Sequence, residues 1–193
     1  MNLKKEDFCF VYIRKIEDYK DNNILPSFIV DNLKTITNQN VINQKKSSYG
    51  VLHEAVKNVF GFVDDFSFIE KNSNGKPLSP NYYFSISHSC GFVAVALSNK
   101  NVGIDIEKID EKRNLENLRK IVLHKNENIS SIEDLIKLWT KKEAKFKFDG
   151  EKVFVPSKID STSFDSTTKL IKKDNCSFLI SIVSSVNNIK FLW

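Results

Sequence analysis

The chain has 193 residues, of which 41% are apolar and 27% are charged, and its formal net charge is +5. These values are typical of a globular protein, and they exclude an intrinsically disordered chain, which would be poorer in large apolar residues. The length corresponds to one or two domains. Because no run of about 18 apolar residues is present, we expect no transmembrane helix and no membrane partner. Residues 1–7 also lack the apolar stretch of a secretion signal.

The cysteines indicate the compartment. Cys9, Cys90 and Cys176 are odd in number and far apart in the sequence. This pattern predicts a protein of a reducing compartment without a disulfide framework, so we expect it to be cytoplasmic. The three cysteines and three histidines show no zinc-ligand spacing, and a zinc site is therefore not expected.

The positive charge has two explanations. Of the 29 basic residues only three are arginine, and asparagine is abundant. One explanation is codon bias, because an AT-rich genome favours lysine and asparagine at positions that tolerate substitution. The other is function, because the same charge would attract an anionic partner. Composition leaves both explanations open. The lysines are scattered, without a helix-turn-helix pattern or an aromatic platform, so no nucleic-acid partner is expected.

The first half of the chain predicts strands around one long helix. From Tyr49 to Phe60 apolar residues recur at helical spacing, and Gly61 supplies a stop. Short apolar runs predict strands, while Asn, Gly and Ser clusters predict turns. The predicted strands cover residues 8–13, 66–69, 84–87 and 92–97, with turns at 72–77 and 87–91. A polar break at residues 98–101 divides the chain almost evenly.

The second half again mixes strands and helices, so the predicted fold class is α+β. Residues 102–107 alternate between apolar and small or acidic residues, as in a half-buried strand. A capping box at residues 130–133 begins a long helix that Asp149-Gly150 ends. A shorter helix is predicted at 115–123, and further strands at 153–155, 169–172, 178–183 and 189–193.

Two acidic residues on the strand at 102–107 stand close together. Asp105 and Glu107 lie on one face of the strand, about 6.5 Å apart. Like charges at this distance are unfavourable unless a cation lies between them, and Mg²⁺ takes such carboxylates together with phosphate oxygens. The other interpretation is a solvent-facing strand edge with ordinary acidic residues.

The long helix carries a third carboxylate of interest. Its apolar stripe runs from Ile132 to Phe146 and predicts a buried residue at position 143, where the chain has glutamate. A carboxylate near the core must be paired or metal-bound, and Lys147 lies one turn further on. The alternative is a surface Glu143–Lys147 pair on a helix whose stripe has ended. Three carboxylates and a lysine around one divalent cation would suit chemistry on a phosphate diester or anhydride.

Four short motifs stand in order between residues 74 and 147. They are Asn-Gly-Lys-Pro at 74–77, Phe-Ser-Ile-Ser-His-Ser at 84–89, Gly-Ile-Asp-Ile-Glu at 103–107 and Trp-Thr-Lys-Lys-Glu-Ala-Lys-Phe-Lys at 139–147. This ordered set resembles the motifs of 4′-phosphopantetheinyl transferases of the larger, surfactin-synthetase-activating (Sfp) type. The resemblance implies a monomer of two pseudo-symmetric α/β lobes, residues 1–98 and 99–193, with the active site in the cleft between them.

The resemblance also implies a reaction. Such enzymes transfer the 4′-phosphopantetheine arm of coenzyme A to a serine of an acyl or peptidyl carrier protein, usually an acidic one, and release adenosine 3′,5′-bisphosphate. Asp105, Glu107 and Glu143 would hold Mg²⁺, or alternatively Mn²⁺. Glu143 would take the serine proton, and Lys147 would neutralise charge on the pyrophosphate. The protein would thus be a Mg²⁺-dependent holo-carrier-protein synthase.

The remaining motif residues would bind coenzyme A. In family terms the loop at 75–77 holds the nucleotide end, and Ser87 and His88 contact the 3′-phosphate. The family's arginine near the start of the first long helix is replaced here by Lys46 or, as the alternative, Lys45. The implied coenzyme A-binding set is Lys46, Gly75, Lys76, Pro77, Ser87, His88, Asp105 and Lys147. Two other functions stay open: a degenerate homologue that binds coenzyme A without transfer, and a basic nucleic-acid-binding module.

Overall fold

The computed structural model describes residues 6–193, which form nine strands and four α-helices and confirm the α+β class. Residues 1–5, in the stretch expected to lack a secretion signal, lie outside the described residues. The elements are β1 (Cys9–Lys15), α1 (Ser27–Leu33), α2 (Gln39–Phe60), β2 (Glu70–Lys71), β3 (Pro77–Leu78), β4 (Tyr83–Ser89), β5 (Phe92–Ser98), β6 (Val102–Lys108), α3 (Leu115–Val122), α4 (Ile132–Asp149), β7 (Thr167–Lys173), β8 (Cys176–Ser184) and β9 (Ile189–Leu192).

The first sheet has the strand order β4-β5-β1-β9. β1 and β4 run antiparallel to β5, whereas β9, the last strand of the chain, pairs parallel with β1. Because side chains alternate between the faces of a strand, β5 contributes to two cores. Val95 and Leu97 pack with Leu52 and Val56 of helix α2. Ala94 and its neighbours at even positions face the opposite way.

The second sheet has the antiparallel order β6-β8-β7. Ile104 of β6 and Ile180 of β8 share an apolar core with Val11 and Ala94 of the first sheet. Helix α4 packs against β6 and β8. β6 is therefore enclosed by the first sheet and by α4, and its residues 102–106 are all buried. The prediction of a half-buried strand was wrong for this reason.

Several predicted element boundaries differ from the observed ones. Helix α2 begins at Gln39, where the Asn38 side chain caps it. The sequence pattern missed these first turns, because Val41 and Ile42 are the only apolar residues before Tyr49 and form no stripe. The strand expected at 66–69 is absent: Phe66 has a left-handed φ of 63°, and its N–H donates to the Asp64 carboxylate, so the chain turns there. At 153–155 the chain likewise leads into a short 3₁₀ helix that starts at Pro156.

The ends of α4 follow the sequence closely. Its N-cap is Ser131, whose hydroxyl accepts a hydrogen bond from the Asp134 N–H. The capping interaction therefore lies one residue later than the predicted box at 130–133. At the other end Gly150 adopts a left-handed φ of 68°, as expected of a helix C-cap glycine.

Cys90 and Cys176 form a disulfide bridge, which corrects the expectation of no disulfide. Cys90 lies in the turn between β4 and β5, and Cys176 is the first residue of β8, 86 residues further on. Packing of the two sheets brings these positions together, so the sequence spacing carried no sign of the pairing. The bridge removes the cysteine argument for a reducing compartment. The remaining cysteine, Cys9, is free and buried. No helix in residues 6–193 has the length and apolar character needed to cross a membrane.

Gly103 lets α4 approach β6 closely. A Cβ atom at this position would lie 2.0 Å from the carbonyl oxygen of Ala144 and 2.5 Å from the backbone nitrogen of Phe148. Backbone atoms cannot move aside as a flexible side chain can. The first glycine of the motif at 103–107 is therefore explained by packing against α4.

We expect Gly103→Ala to lower the free energy of unfolding by at least about 3 kcal/mol, the upper range for an overpacked core. Gly61→Ala is the matched control, because Gly61 has open space around it and a left-handed φ of 73°. It should cost only about 1–2 kcal/mol. Urea unfolding of both variants measures the difference, and equal losses would contradict the close-packing explanation.

Candidate active site

Three serines of β4 join the two sheets. Ser85, Ser87 and Ser89 alternate along the strand and point the same way, towards β6. Each hydroxyl oxygen accepts a hydrogen bond from a backbone N–H of β6: from Ile104 to Ser85 (3.0 Å), from Ile106 to Ser87 (3.4 Å) and from Lys108 to Ser89 (3.0 Å). We call this set the serine ladder. Through it, three backbone N–H groups of β6 find acceptors on side chains of β4, and the two strands are fixed relative to each other.

Asp105 lies in the middle of β6 and is 1% exposed. Its Oδ1 accepts hydrogen bonds from the Ser87 hydroxyl at 2.7 Å and from the Lys147 ammonium at 2.8 Å. Its Oδ2 is buried and has no hydrogen-bond partner within residues 6–193. A buried carboxylate oxygen without a donor is unfavourable, so this atom marks a position where a further positive group would be stabilising.

Helix α4 supplies the groups that face Asp105. Lys147 Nζ lies 3.2 Å from Glu143 Oε1 as well as 2.8 Å from Asp105. The indole N–H of Trp139 donates to Glu143 Oε2 at 3.0 Å. The pair Glu143–Lys147 is thus tied to β6 and does not stand alone on the helix surface. The Glu143 side chain is 25% exposed, so position 143 is less buried than the apolar stripe predicts.

Glu107 lies at the border of this cluster. Its carboxylate pairs with Arg113 at 3.1 Å, whereas the ion pairs of Lys147 within residues 6–193 are with Asp105 and Glu143. Burial and the charge of Asp105 raise the pKa of Glu107, and Arg113 opposes the rise. Arg113 follows β6 in the chain and lies outside the four sequence motifs.

The protonation states follow from burial and charge. Burial, then the charge of Asp105, raises the pKa of Glu143 above its ordinary value, against the effect of Lys147. Burial alone would lower the pKa of Lys147, but Asp105 and Glu143 outweigh it and raise that pKa. The cluster therefore holds a stable ammonium beside a carboxylate that accepts a proton more readily than an exposed glutamate.

The donors suit a divalent cation, although they are not gathered into a finished site. Within residues 6–193 no three His, Cys, Asp or Glu side chains stand close enough together to hold a metal. The carboxylate oxygens of Asp105, Glu107 and Glu143 are hard ligands of the kind that Mg²⁺ prefers. The unpartnered Asp105 Oδ2 and the raised pKa values of the two glutamates are features that a cation would relieve. The residues therefore fit Mg²⁺ by their chemistry.

A cavity of about 370 Å³ opens beside Lys147. Gly75, Lys76 and Pro77 line it from the β2–β3 turn, and His88 lines it from β4. From helix α2 the cavity wall includes Lys45, whereas Lys46 lies off the wall and donates to Asn23 at 3.0 Å. The register of α2 thus turns Lys45, the alternative to Lys46, towards the cavity.

Two further predicted binding residues make contacts of their own. Ser87 does not line the cavity, because its hydroxyl belongs to the serine ladder and to Asp105. Lys76 lines the cavity, but its ammonium donates to Asn101 Oδ1 at 3.3 Å and to the Phe148 carbonyl at 3.2 Å, near the end of α4. Burial lowers the pKa of Lys76, and burial together with Lys147 lowers that of His88.

The sequence contained a signal for the serine ladder that was not used. Serines at every second position of a predicted strand must share one face, and their partners lie on the strand that bears Asp105. No comparable signal marked Lys45 over Lys46, since neighbouring lysines on a polar helix turn have the same local pattern.

Comparison with known proteins agrees with the motifs. The chain is 32% identical over 126 residues to the 4′-phosphopantetheinyl transferase gsp of Aneurinibacillus migulanus, a match that covers 61% of this chain. This similarity confirms the resemblance to 4′-phosphopantetheinyl transferases. The match covers 52% of the relative, so the chain spans about half the length of that protein. No protein-family model matches the chain.

We expect Ser87→Ala to lower the free energy of unfolding by about 1–3 kcal/mol, because it removes one of the two donors to the buried Asp105 and leaves the Ile106 N–H unpaired. Ser89→Ala is the matched control at the exposed end of the serine ladder and should cost less than about 1 kcal/mol. Urea unfolding compares the two variants. A loss no larger for Ser87→Ala than for Ser89→Ala would mean that the Asp105 contact contributes nothing.

Proposed function

We propose that this protein transfers the 4′-phosphopantetheine arm of coenzyme A to a serine hydroxyl of an acyl or peptidyl carrier protein and releases adenosine 3′,5′-bisphosphate. One observation carries the proposal. Lys147 bridges the buried Asp105 and Glu143 and at the same time lines the cavity. The Lys147 ammonium, held between these carboxylates and an open cavity, is suited to bind a substrate that carries negatively charged phosphate groups.

In the proposed reaction the serine oxygen attacks the phosphorus atom on the pantetheine side of the pyrophosphate. A new P–O bond forms, and the bond from that phosphorus to the bridging oxygen breaks. Glu143 accepts the serine proton, directly or through a water, and its raised pKa favours this role. Lys147 neutralises the charge that develops on the leaving bisphosphate, where electrostatic stabilisation contributes most to catalysis.

Asp105, Glu107 and Glu143 would together hold Mg²⁺, with Mn²⁺ as an alternative. When bound, the ion would neutralise phosphate charge and orient the pyrophosphate. Within the chain, Ser87 keeps Asp105 in position through its 2.7 Å hydrogen bond, and Arg113 holds Glu107 near the cluster.

The cavity is the proposed place for coenzyme A. Gly75 and Pro77 line it and would face the nucleotide end, while His88 and Lys45 also line it and would be available for phosphate. Lys45 takes the place that the sequence analysis gave to Lys46. As a lysine it would supply charge without the bidentate geometry of an arginine.

The proposal includes the arrangement that the resemblance implies. Residues 1–98 and 99–193 would be two pseudo-symmetric lobes of a cytoplasmic monomer, with the active site between them. Contacts from the β2–β3 turn to the end of α4, such as the one from Lys76 to Phe148, support an active site built from both halves. An acidic carrier protein would be attracted by the net charge of +5.

Incubation of the protein with apo carrier proteins, coenzyme A and Mg²⁺ should add one phosphopantetheine arm per carrier, measured by mass spectrometry. We expect Glu143→Gln to lower the transfer rate at least 100-fold, because the general base is lost. Glu133→Gln, on an exposed position of the same helix, is the control and should retain the wild-type rate. No mass shift across fatty acid, polyketide and nonribosomal peptide carriers would refute the proposal, and full activity of Glu143→Gln would remove that residue from the mechanism.

Removal of divalent cations with EDTA should stop transfer, and added Mg²⁺ or Mn²⁺ should restore it. Asp105→Asn should raise the Mg²⁺ concentration needed for half-maximal rate at least tenfold, because a buried ligand charge is lost. Asp149→Asn, which alters an exposed carboxylate paired with Lys145, is the control. Transfer at an undiminished rate in EDTA would show that no metal is required.

A further inference from the structure

We propose that Lys142 is a positioning residue that sets the rotation of helix α4 and thereby directs Glu143 at the cavity. Lys142 belongs to the motif at 139–147, yet nothing in the proposed reaction uses it. The inference rests on the proposed function only for the role of Glu143. The geometric claim concerns the helix itself and can be tested separately.

The Lys142 ammonium is enclosed and fully hydrogen-bonded. It is 0% exposed and donates to the Val122 carbonyl at 2.6 Å, to Glu127 Oε2 at 2.5 Å and to the Pro156 carbonyl at 3.1 Å. An ammonium group has three donors, so each of them has one acceptor. The acceptors come from the end of α3, from the loop that follows it and from the segment after α4.

Glu127 extends this contact to its surroundings. Its side chain is 2% exposed, and besides Lys142 it accepts hydrogen bonds from the backbone N–H groups of His124 at 2.9 Å and Ser161 at 2.8 Å. These bonds fix the orientation of the carboxylate independently of Lys142. The Lys142–Glu127 pair therefore ties α4 to a rigid frame on the side away from β6.

A buried ion pair of this kind is a poor source of stability. A buried ion pair stabilises the fold little more than well-packed apolar side chains would at the same place, because both charges lose their hydration. The loss of one partner, however, leaves an uncompensated buried charge. The three fixed acceptors instead determine how α4 is rotated about its axis, because only one rotation of the helix satisfies all of them. Glu143 is the next residue, and successive side chains on an α-helix differ by about 100°.

On the side of the second sheet α4 has anchors of its own. The Thr140 and Ser181 hydroxyls are 2.8 Å apart, and Gly103 gives Ala144 its close approach to β6. Contacts on one side of a helix limit its distance from the sheet but leave it able to roll. Away from the sheet, Leu135 makes apolar contacts with Val122 and Ile129, which have no preferred direction. The hydrogen bonds of Lys142 are directional, so that Glu143 keeps its contacts with Trp139 and Lys147.

The indole N–H of Trp139 offers a direct readout, because it donates to Glu143. The chain has two tryptophans, and the second, Trp193, is 53% exposed. In a Trp193→Phe background the ¹⁵N–¹H indole resonance therefore belongs to Trp139 alone. We expect Lys142→Met to shift this resonance and to speed its hydrogen exchange at least tenfold. Lys145→Met, which alters a lysine of the same helix paired with Asp149, should leave it unchanged.

The transfer reaction gives a second readout. Lys142→Met should lower kcat at least tenfold and change the KM for coenzyme A less than threefold, because Glu143 acts in the transition state while the cavity stays intact. Lys145→Met should stay within twofold on both. Far-UV circular dichroism checks that each variant is folded. If Lys142→Met does not fold, Glu127→Gln and Lys142→Arg replace it, with the same indole shift and kcat loss expected at smaller amplitude.

The outcomes separate the two proposals. An indole resonance that is the same in folded Lys142→Met and in Lys145→Met would overturn the positioning role, as would a loss of activity that lies wholly in KM. If the wild-type protein transfers nothing, the proposed function fails. The indole resonance then still decides whether Lys142 orients α4.

Discussion

The buried charge of Asp105 is the constraint on which the site depends. A carboxylate that is 1% exposed must be compensated by nearby donors. No neighbour on β6 itself supplies them: one comes from Ser87 on β4, and the other from Lys147 on α4. Both elements must therefore lie against β6 at this level. The serine ladder holds β4 there, and the missing side chain of Gly103 lets α4 come close enough for Lys147 to reach Asp105.

This arrangement links packing directly to electrostatics. The close approach that Gly103 permits also keeps Glu143 partly buried, and this burial beside Asp105 raises the pKa of the Glu143 carboxyl. A looser contact between α4 and β6 would admit water. The water would lower the pKa of Glu143 and weaken the ion pair between Lys147 and Asp105. The glycine, the serines and the charged residues of the motifs therefore serve one structure, although only the charged ones bear on the chemistry.

The sequence predicted those parts of the fold that have a regular local pattern. Strands β4, β5, β6 and β8 and helix α4 were found because apolar period and flanking breaks agree. The start of α2 was missed because its first turns carry no apolar stripe and begin at an Asn38 cap. The turn at Phe66 was missed because it depends on an aspartate side chain. The disulfide and the choice of Lys45 over Lys46 depend on long-range packing, which no local pattern contains. Glu143 was singled out because it stands where the apolar stripe predicts a buried residue, and Lys147 because it lies one turn further on. Asp105 was singled out because it shares a strand face with Glu107. Lys147 does contact both Asp105 and Glu143.

Two lysines of helix α4 have different roles because their surroundings differ. Lys142 is 0% exposed and has an acceptor for each of its three donors, all of them fixed by the frame around Glu127. Lys147 is 22% exposed, contacts two carboxylates and borders the cavity. A phosphate group that entered the cavity could gain the Lys147 ammonium but not the enclosed one. Lys142 therefore has a structural role: it fixes the position of helix α4. Because α4 is fixed, Lys147, five residues further along, keeps its place at the cavity, where its ammonium can contact a negatively charged group.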